Sequence, residues 1–285
     1  MPLKDAGSPV RCLSAATHMG AHAGYELQDK DLQDLRLLHE QFAIDYPEEL
    51  ARLREVTLRN GKPMTRSFAE FARFLAQRQL EGRALLVAID GYGGSGKSTF
   101  TALLHAALRG DGLAAVTIVP ADGFVMNLRE EDWRPLPSMP GVRAPYRVDV
   151  DRLRRELLEP LRGGLPAHFV HRDWWVAERA ELRIVHSHGI VLVEGTYTLD
   201  RRLRDFYDER IFIECPQELA LERALARDVP LDDDPVGELA WREIHGPAES
   251  AYISEQNPRV AAHVVVDGSQ PIGPDLFVTL DVGSH

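Results

Sequence analysis

The sequence predicts a three-layer α/β protein with a mostly parallel central sheet, preceded by a helical extension. Three continuous apolar runs have the length of a strand, and segments of helical period lie between them: Ala84–Ile89, Ala114–Val119 and Ile190–Val193. Strands that are apolar on both faces are typical of a parallel sheet that helices cover on both sides. The alternation continues with a strand at Ile211–Glu214, a helix at Gln217–Arg227 and a strand at Ala262–Val266.

The 285 residues suit one large domain with a modest appendage. Residues 1–24 are rich in Gly, Ala and Ser, and we expect them to be disordered. Residues 25–82 have a helical period and form the predicted N-terminal extension. Residues 83–270 form the main domain, and residues 271–285 a C-terminal tail.

The last helix of the extension is predicted over Ser67–Leu80, with an aromatic face and a capping box formed by Ser67 and Glu70. The residues of that face are Phe68, Phe71, Phe74 and Leu75. Such a face either packs on the following domain or forms a groove for a partner or substrate.

Composition excludes several classes of protein. The net charge is −11, and residues 84–285 hold the excess, with 21 basic and 32 acidic side chains. This balance disfavours a nucleic-acid partner, which needs clustered positive charge. Cys12 and Cys215 are too few for a disulfide framework, and the histidines show no zinc-binding spacing. With no apolar run of about 18 residues and no signal peptide, we expect a cytoplasmic protein without membrane contact.

A phosphate-binding motif joins the first predicted strand to the helix that follows. The segment Gly91-Tyr92-Gly93-Gly94-Ser95-Gly96-Lys97-Ser98 fits G-x-x-x-x-G-K-[ST] at every fixed position. In such a loop the backbone N–H groups and the lysine hold phosphates, and the hydroxyl ligates Mg²⁺. Lys97 is also one of only four lysines in the chain. The sequence therefore predicts a P-loop NTPase fold that binds ATP and Mg²⁺ through Gly91, Gly93, Gly94, Ser95, Gly96, Lys97, Ser98 and Thr99.

Two carboxylates follow predicted strands. Asp122 comes after the Ala114–Val119 run, and Glu194 ends the Ile190–Val193 run. Ligands of open α/β sheets bind at the carboxyl ends of the strands, where a carboxylate can meet a metal or an acceptor hydroxyl. The alternatives are a turn before Gly123 for Asp122 and a surface position at a strand end for Glu194.

These motifs and their order resemble the uridine kinase and phosphoribulokinase group of P-loop kinases, which includes the bacterial pantothenate kinases. The resemblance covers about Ala84 to Gly268. Besides the phosphate loop, the matching motifs are Asp122-Gly123-Phe124, Glu194-Gly195, Phe206-Tyr207-Asp208, Arg223 and Arg227-Asp228. Three further stretches look like the bacterial uridine kinase-like proteins in particular: Arg172-Asp173-Trp174, Pro247-Ala248-Glu249 and Tyr252.

The resemblance implies a role for each matching residue. Asp122 would be the general base, and Lys97 would hold the transferred phosphate. Ser98 and Glu194 would join Asp122 around Mg²⁺. Arg227 would lie in a lid over the ATP phosphates, although an exposed helix charge is its alternative.

The acceptor side departs from the family pattern. Uridine kinases tend to have Phe-Asp-His-Pro before the helix that begins here near Asp149, where this chain has Gly141-Val142-Arg143-Ala144-Pro145. Asp232-Asp233-Asp234 also stands where a second lid arginine is usual. The candidate acceptor-binding residues are Arg143, Arg147, His171, Arg172, Asp173 and Trp174. The basic ones suit an acidic or phosphorylated acceptor, with a solvated surface as their alternative, and core burial is the alternative for Trp174.

We therefore expect an ATP- and Mg²⁺-dependent kinase that phosphorylates a hydroxyl of a small metabolite. The resemblance favours a nucleoside such as uridine, ahead of a pantothenate-like or sugar-phosphate acceptor. The alternative of another class is a nucleotide-binding regulatory ATPase, for which the chain lacks the N-K-x-D motif of a guanine-specific switch. The sequence leaves a homodimer open.

Overall fold

The computed structural model describes residues 64–110, 112, 114–124, 133–135, 143–145, 148–172, 180–229, 235–270 and 272–282. Its strands are β1 (Met64–Ser67), β2 (Leu85–Gly91), β3 (Val116–Pro120), β4 (Trp133–Pro135), β5 (Arg143–Pro145), β6 (Ala167–Arg172), β7 (Ala180–Val185), β8 (Ile190–Glu194), β9 (Glu209–Glu214), β10 (Val264–Asp267) and β11 (Leu276–Val282). Its α-helices are α1 (Phe68–Gln77), α2 (Lys97–Gly110), α3 (Val150–Leu153), α4 (Glu159–Arg162), α5 (Gln217–Asp228), α6 (Pro235–Ala240), α7 (Gly246–Gln256) and α8 (Pro258–Ala261). Two π-helical turns, at Arg154–Leu158 and Trp241–His245, link α3 to α4 and α6 to α7.

A seven-stranded sheet organises the fold in the order β1-β11-β10-β9-β2-β8-β3. The five strands from β10 to β3 are mutually parallel, whereas β11 runs antiparallel to both of its neighbours. β2 lies between β8 and β9 as the middle one of the five parallel strands, and the phosphate motif follows it at the carboxyl edge of the sheet. The predicted three-layer α/β fold with a mostly parallel sheet is confirmed.

Hydrophobic layers cover both faces of the sheet, which explains why its strands are continuously apolar. Successive side chains of a strand point to opposite faces. Leu86 and Ala88 of β2 therefore join one layer, and Leu85, Val87 and Ile89 join the other. The helical segment from α3 to α4 contributes to the first layer, and α1 and α2 contribute to the second.

The predicted aromatic helix exists and packs on the sheet domain. The Phe68 and Phe71 side chains are buried and meet the ring of Phe277 on β11, with ring centroids 4.7 and 5.7 Å away. The capping box is wrong, because the Ser67 side chain makes no capping hydrogen bond. Ser67 instead ends β1, and the first helical N–H donates to the Asp275 carbonyl, 2.9 Å away.

The sheet includes segments outside the predicted main domain of residues 83–270. β1 belongs to the predicted extension and β11 to the predicted tail, yet these two strands pair with each other at one side of the sheet. Neither strand has the continuous apolar run that marks the parallel strands. The predicted disordered segment 1–24 and the part of the predicted extension before Met64 lie outside the described residues. Among the residues that are described, no helix is both long enough and apolar enough to cross a membrane.

Candidate active site

The phosphate motif forms a loop between β2 and α2. The helix begins at Lys97, so its unpaired N–H groups and the positive end of its dipole face the loop. Gly94 has φ +84°, and a Cβ added there would lie 2.1 Å from the Ala220 carbonyl oxygen of α5. Only glycine fits this position. The loop conformation thus depends on a helix more than 100 residues further along the chain.

The Lys97 side chain is buried and folds back over the loop. Its Nζ donates to the carbonyl oxygens of Gly91 at 3.0 Å and Tyr92 at 2.7 Å. The Thr196 hydroxyl, just after β8, lies 3.4 Å from the same nitrogen. These contacts hold the ammonium beside the loop, where a phosphate group bound by the N–H groups would meet it.

Ser98 and Glu194 meet beside the loop. The Ser98 hydroxyl lies 3.3 Å from each carboxylate oxygen of Glu194. Desolvation raises the pKa of Glu194, and the positive charge of Lys97 partly offsets the rise. A hydroxyl and a carboxylate are the hard oxygen donors that Mg²⁺ prefers, usually together with substrate phosphates and water. These residues therefore fit the predicted metal.

Asp122 lies at the same edge of the sheet. β3 and β8 pair in parallel with Pro120 opposite Glu194, and Asp122 follows in a 3₁₀ turn, Ala121–Gly123. Asp122 is exposed at the surface, yet neighbouring residues displace part of the water around its carboxylate. Desolvation raises the pKa of Asp122, and the charges of Lys97 and Arg227 partly offset the rise. The structure thus brings Asp122, Glu194, Ser98 and Lys97 together.

Arg227 lies near the end of α5 with its side chain 58% exposed. Its Nε and Nη2 bond to the two carboxylate oxygens of Asp228 at 2.6 and 2.7 Å. A cavity of about 470 Å³ separates this arginine from the start of α2. Its lining residues are Gly94–Thr99 of the loop with Arg223, Arg227, Gly268, Gln270 and Ile272. The predicted lid arginine therefore borders the space beside the phosphate loop.

The predicted acceptor-binding residues are only partly described. The ring of His171 packs over Gly123, where an added Cβ would lie 2.1 Å from its Nδ1, so His171 lies next to Asp122. Arg172 follows on β6, and Arg143 lies on β5, which pairs with β4. Arg147, Asp173 and Trp174 lie outside the described residues.

Sequence reasoning missed a set of residues that holds the first part of the loop. Asp90, at the end of the apolar run, is fully buried and accepts from the Gly91 N–H, the Leu199 N–H and the Tyr252 hydroxyl, each at 2.6 Å. Glu249 accepts from the Gly93 N–H at 2.9 Å. The only feature of the sequence that singled out Glu249 and Tyr252 was their place in the motifs that resemble uridine kinase-like proteins. Nothing in the sequence indicates their partners, which lie some 160 residues away.

Comparison with known proteins agrees with this geometry. The chain is 26% identical over 150 residues to a uridine kinase of Saccharomyces cerevisiae, across 50% of this chain and 29% of that protein. It is 24% identical over 153 residues to a uridine kinase of Brevibacillus brevis, across 52% of this chain and 68% of that protein. The structure of a protein described as a candidate fructose transport system kinase, from Silicibacter sp. TM1040, has a TM-score of 0.54 and 25% identity, across 67% of this chain and 95% of that chain. No protein-family model matches the chain.

The mostly parallel sheet and the loop after its central strand define a P-loop protein of the three-layer α/β class. Within that class, the relatives indicate the particular group. The chain is similar to uridine kinases, and it spans less than a third of the length of the yeast relative that it matches.

Proposed function

We propose that this protein transfers the γ-phosphoryl group of ATP, with Mg²⁺, to a hydroxyl group of a small metabolite. The observation that carries the proposal is the arrangement of Lys97, Ser98, Asp122 and Glu194 at the carboxyl edge of three adjacent strands. A nucleotide binder needs only the first two residues. A kinase also needs a carboxylate beside the transferred phosphate that can accept a proton.

Asp122 suits the role of general base. A hydroxyl loses its proton as its oxygen bonds to phosphorus, and a positioned carboxylate receives that proton. Because desolvation raises its pKa, Asp122 is a better proton acceptor than an ordinary aspartate. Asp90, the alternative carboxylate of this region, is unsuited, since three donors occupy its buried oxygens.

The other residues hold the phosphate donor. Ser98, Glu194 and Asp122 supply oxygen ligands for Mg²⁺, which neutralises phosphate charge when it is bound. The described residues contain no group of three or more His, Cys, Asp or Glu side chains arranged to hold a metal by themselves. This agrees with a metal that binds together with nucleotide phosphates. Lys97 and Arg227 would stabilise negative charge on the phosphoryl group as it moves.

The favoured acceptor is a nucleoside such as uridine, because the curated relatives are uridine kinases. A sugar or sugar phosphate is the second candidate, which the candidate fructose transport system kinase supports. His171 beside Asp122 and Arg172 on the same strand suit either acceptor, since both present hydroxyl groups and hydrogen-bond acceptors.

The test is release of ADP from Mg-ATP with a panel of nucleosides, sugars, sugar phosphates, hydroxy acids and pantothenate. We expect one class of acceptor to stimulate ADP release at least ~10-fold over the acceptor-free rate, and Asp122→Asn to abolish the stimulation. Acceptor-independent hydrolysis across the whole panel would instead support a regulatory ATPase. Omitting Mg²⁺ controls for the metal.

A further inference from the structure

Glu249 holds an N–H group of the phosphate loop. It lies on α7 with 8% of its surface exposed, and its Oε2 accepts from the Gly93 N–H at 2.9 Å. The N–H groups of such loops are otherwise the donors that bind phosphate. The first part of this loop is therefore tied to a protein carboxylate.

Thr196 extends this contact to Lys97. Its hydroxyl lies 3.3 Å from Glu249 Oε1, 3.0 Å from the Gly91 carbonyl oxygen and 3.4 Å from Lys97 Nζ. The Gly91 carbonyl oxygen also accepts from Lys97. The carboxylate, the hydroxyl, the loop carbonyl and the ammonium thus form one connected network, and removing the carboxylate takes the acceptor from the Gly93 N–H.

Neighbouring residues fix the position of Glu249. One turn further along α7, the Tyr252 hydroxyl donates to Asp90 at the end of β2. On the other side, the Trp241 ring covers Gly93, where an added Cβ would lie 2.4 Å from Cη2 of the ring. With α7 held at Tyr252 and the π-helical turn before it held at Trp241, Glu249 has little freedom to leave the loop.

The charge of Glu249 has a second effect. Desolvation raises the pKa of Glu249, and the positive charge of Lys97 partly offsets the rise. When it is ionised, this carboxylate also repels a phosphate chain that binds at the loop. Glu249 therefore supports the conformation of the loop but disfavours the binding of phosphate to it.

We propose that Glu249 is a positioning residue for phosphoryl transfer: it fixes Gly93 and, through Thr196, Lys97 in the geometry that transfer requires, while its charge weakens phosphate binding. The inference rests on the proposed function. It assigns Glu249 no contact with the reacting atoms. Two substitutions separate the two effects: glutamine can accept from the Gly93 N–H and donate its amide N–H to the Thr196 hydroxyl without the charge, whereas leucine can do neither.

The experiment compares Glu249→Gln, Glu249→Leu and Glu255→Gln, a matched control at an exposed carboxylate of the same helix. Binding of inorganic pyrophosphate is measured by calorimetry, and transfer by acceptor-dependent ADP release. We expect Glu249→Gln to bind pyrophosphate ~3- to 10-fold more tightly and to keep transfer within about threefold. Glu249→Leu should lose ~10²-fold in transfer, since small displacements of a catalytic group have effects of that size. The control should behave as wild type.

Thermal unfolding of each variant shows that the chain is folded. A role in packing alone predicts that leucine preserves transfer or that glutamine loses as much as leucine, and either result overturns the proposal. Unchanged pyrophosphate affinity in Glu249→Gln also overturns it. If wild type phosphorylates no acceptor, the proposed function fails, and the rate of Mg-ATP hydrolysis replaces transfer in the same comparison. The glutamine and leucine variants must then differ in hydrolysis for the positioning role to stand.

Discussion

The two halves of the phosphate loop have different surroundings. Residues 91–94 pack against protein: a Cβ at Gly91, Gly93 or Gly94 would lie within 2.5 Å of the Ile213 carbonyl, the Trp241 ring or the Ala220 carbonyl respectively. Residues 94–99 line the cavity, so Gly94 belongs to both halves, and Ser98 and Thr99 are exposed. The first half therefore serves as a scaffold and the second as a surface for the ligand. Lys97 belongs to the second half by its position in the sequence, but its ammonium donates hydrogen bonds to carbonyl oxygens of the first half.

Replacing Lys97 should have the largest effect, because this residue connects the two halves. We expect Lys97→Ala to reduce phosphoryl transfer at least ~10²-fold, since it removes the charge that stabilises the moving phosphoryl group. The measurement is acceptor-dependent ADP release. Near wild-type activity with any acceptor would show that the loop is not the phosphate site.

Replacing Asp122 tests whether a residue outside the phosphate loop accepts the proton during transfer. Asp122→Asn should bind ATP within about tenfold of wild type, yet lose ~10²-fold or more in transfer. The base must be ionised, so wild-type transfer should fall as the pH decreases through the pKa of Asp122, which desolvation raises before Mg²⁺ binds. Calorimetry and pH–rate profiles of the same preparations provide the measurements. Loss of ATP binding with a proportionate loss of transfer would make Asp122 a metal or structural residue.

Gly93→Ala disturbs only the scaffold half. The added methyl group meets the Trp241 ring, so we expect the free energy of unfolding to fall by about 1–3 kcal/mol, the usual result of overpacking. Gly110→Ala is the matched control, because a Cβ there meets nothing within 4 Å. Urea denaturation measures both variants. Equal stability of the two would contradict the close packing of Trp241 on the loop.

The smallest effect concerns His245, whose ring meets Trp241 edge-on with centroids 5.2 Å apart. Burial lowers the pKa of His245 to about 4. The His245 imidazole therefore binds a proton more strongly in the unfolded chain than in the folded one. Its contribution to the free energy of unfolding is present in full above about pH 6.5 and is lost as the pH falls toward 4. We expect the free energy of unfolding to drop by roughly 1 kcal/mol between pH 6.5 and 5.5. His245→Gln should reduce this dependence in urea titrations, and an unchanged slope would contradict it.

The fold class could be predicted because the parallel strands are local signals. A strand that helices cover on both faces must be apolar throughout, as in Leu85–Ile89 and Ile190–Val193. The strands β1 and β11 were not predicted. Partly exposed strands need no continuous apolar run, and these two strands, which pair with each other, lie over 200 residues apart in the sequence. The capping box failed because a contact distant in sequence involves the same residue: Ser67 is the last residue of β1, paired opposite Leu276, and its side chain makes no capping hydrogen bond.

The sequence by itself determined the phosphate loop and the two carboxylates at strand ends, because each depends on a short motif beside a recognisable strand. Only the tertiary structure decided what surrounds them. Glu249, Trp241 and Tyr252 reach the loop from a helical segment about 150 residues away, and no spacing rule relates a residue to a contact at that distance. A local motif specifies backbone shape and charge, whereas the packing that fixes a carboxylate against one N–H group exists only once the chain has folded.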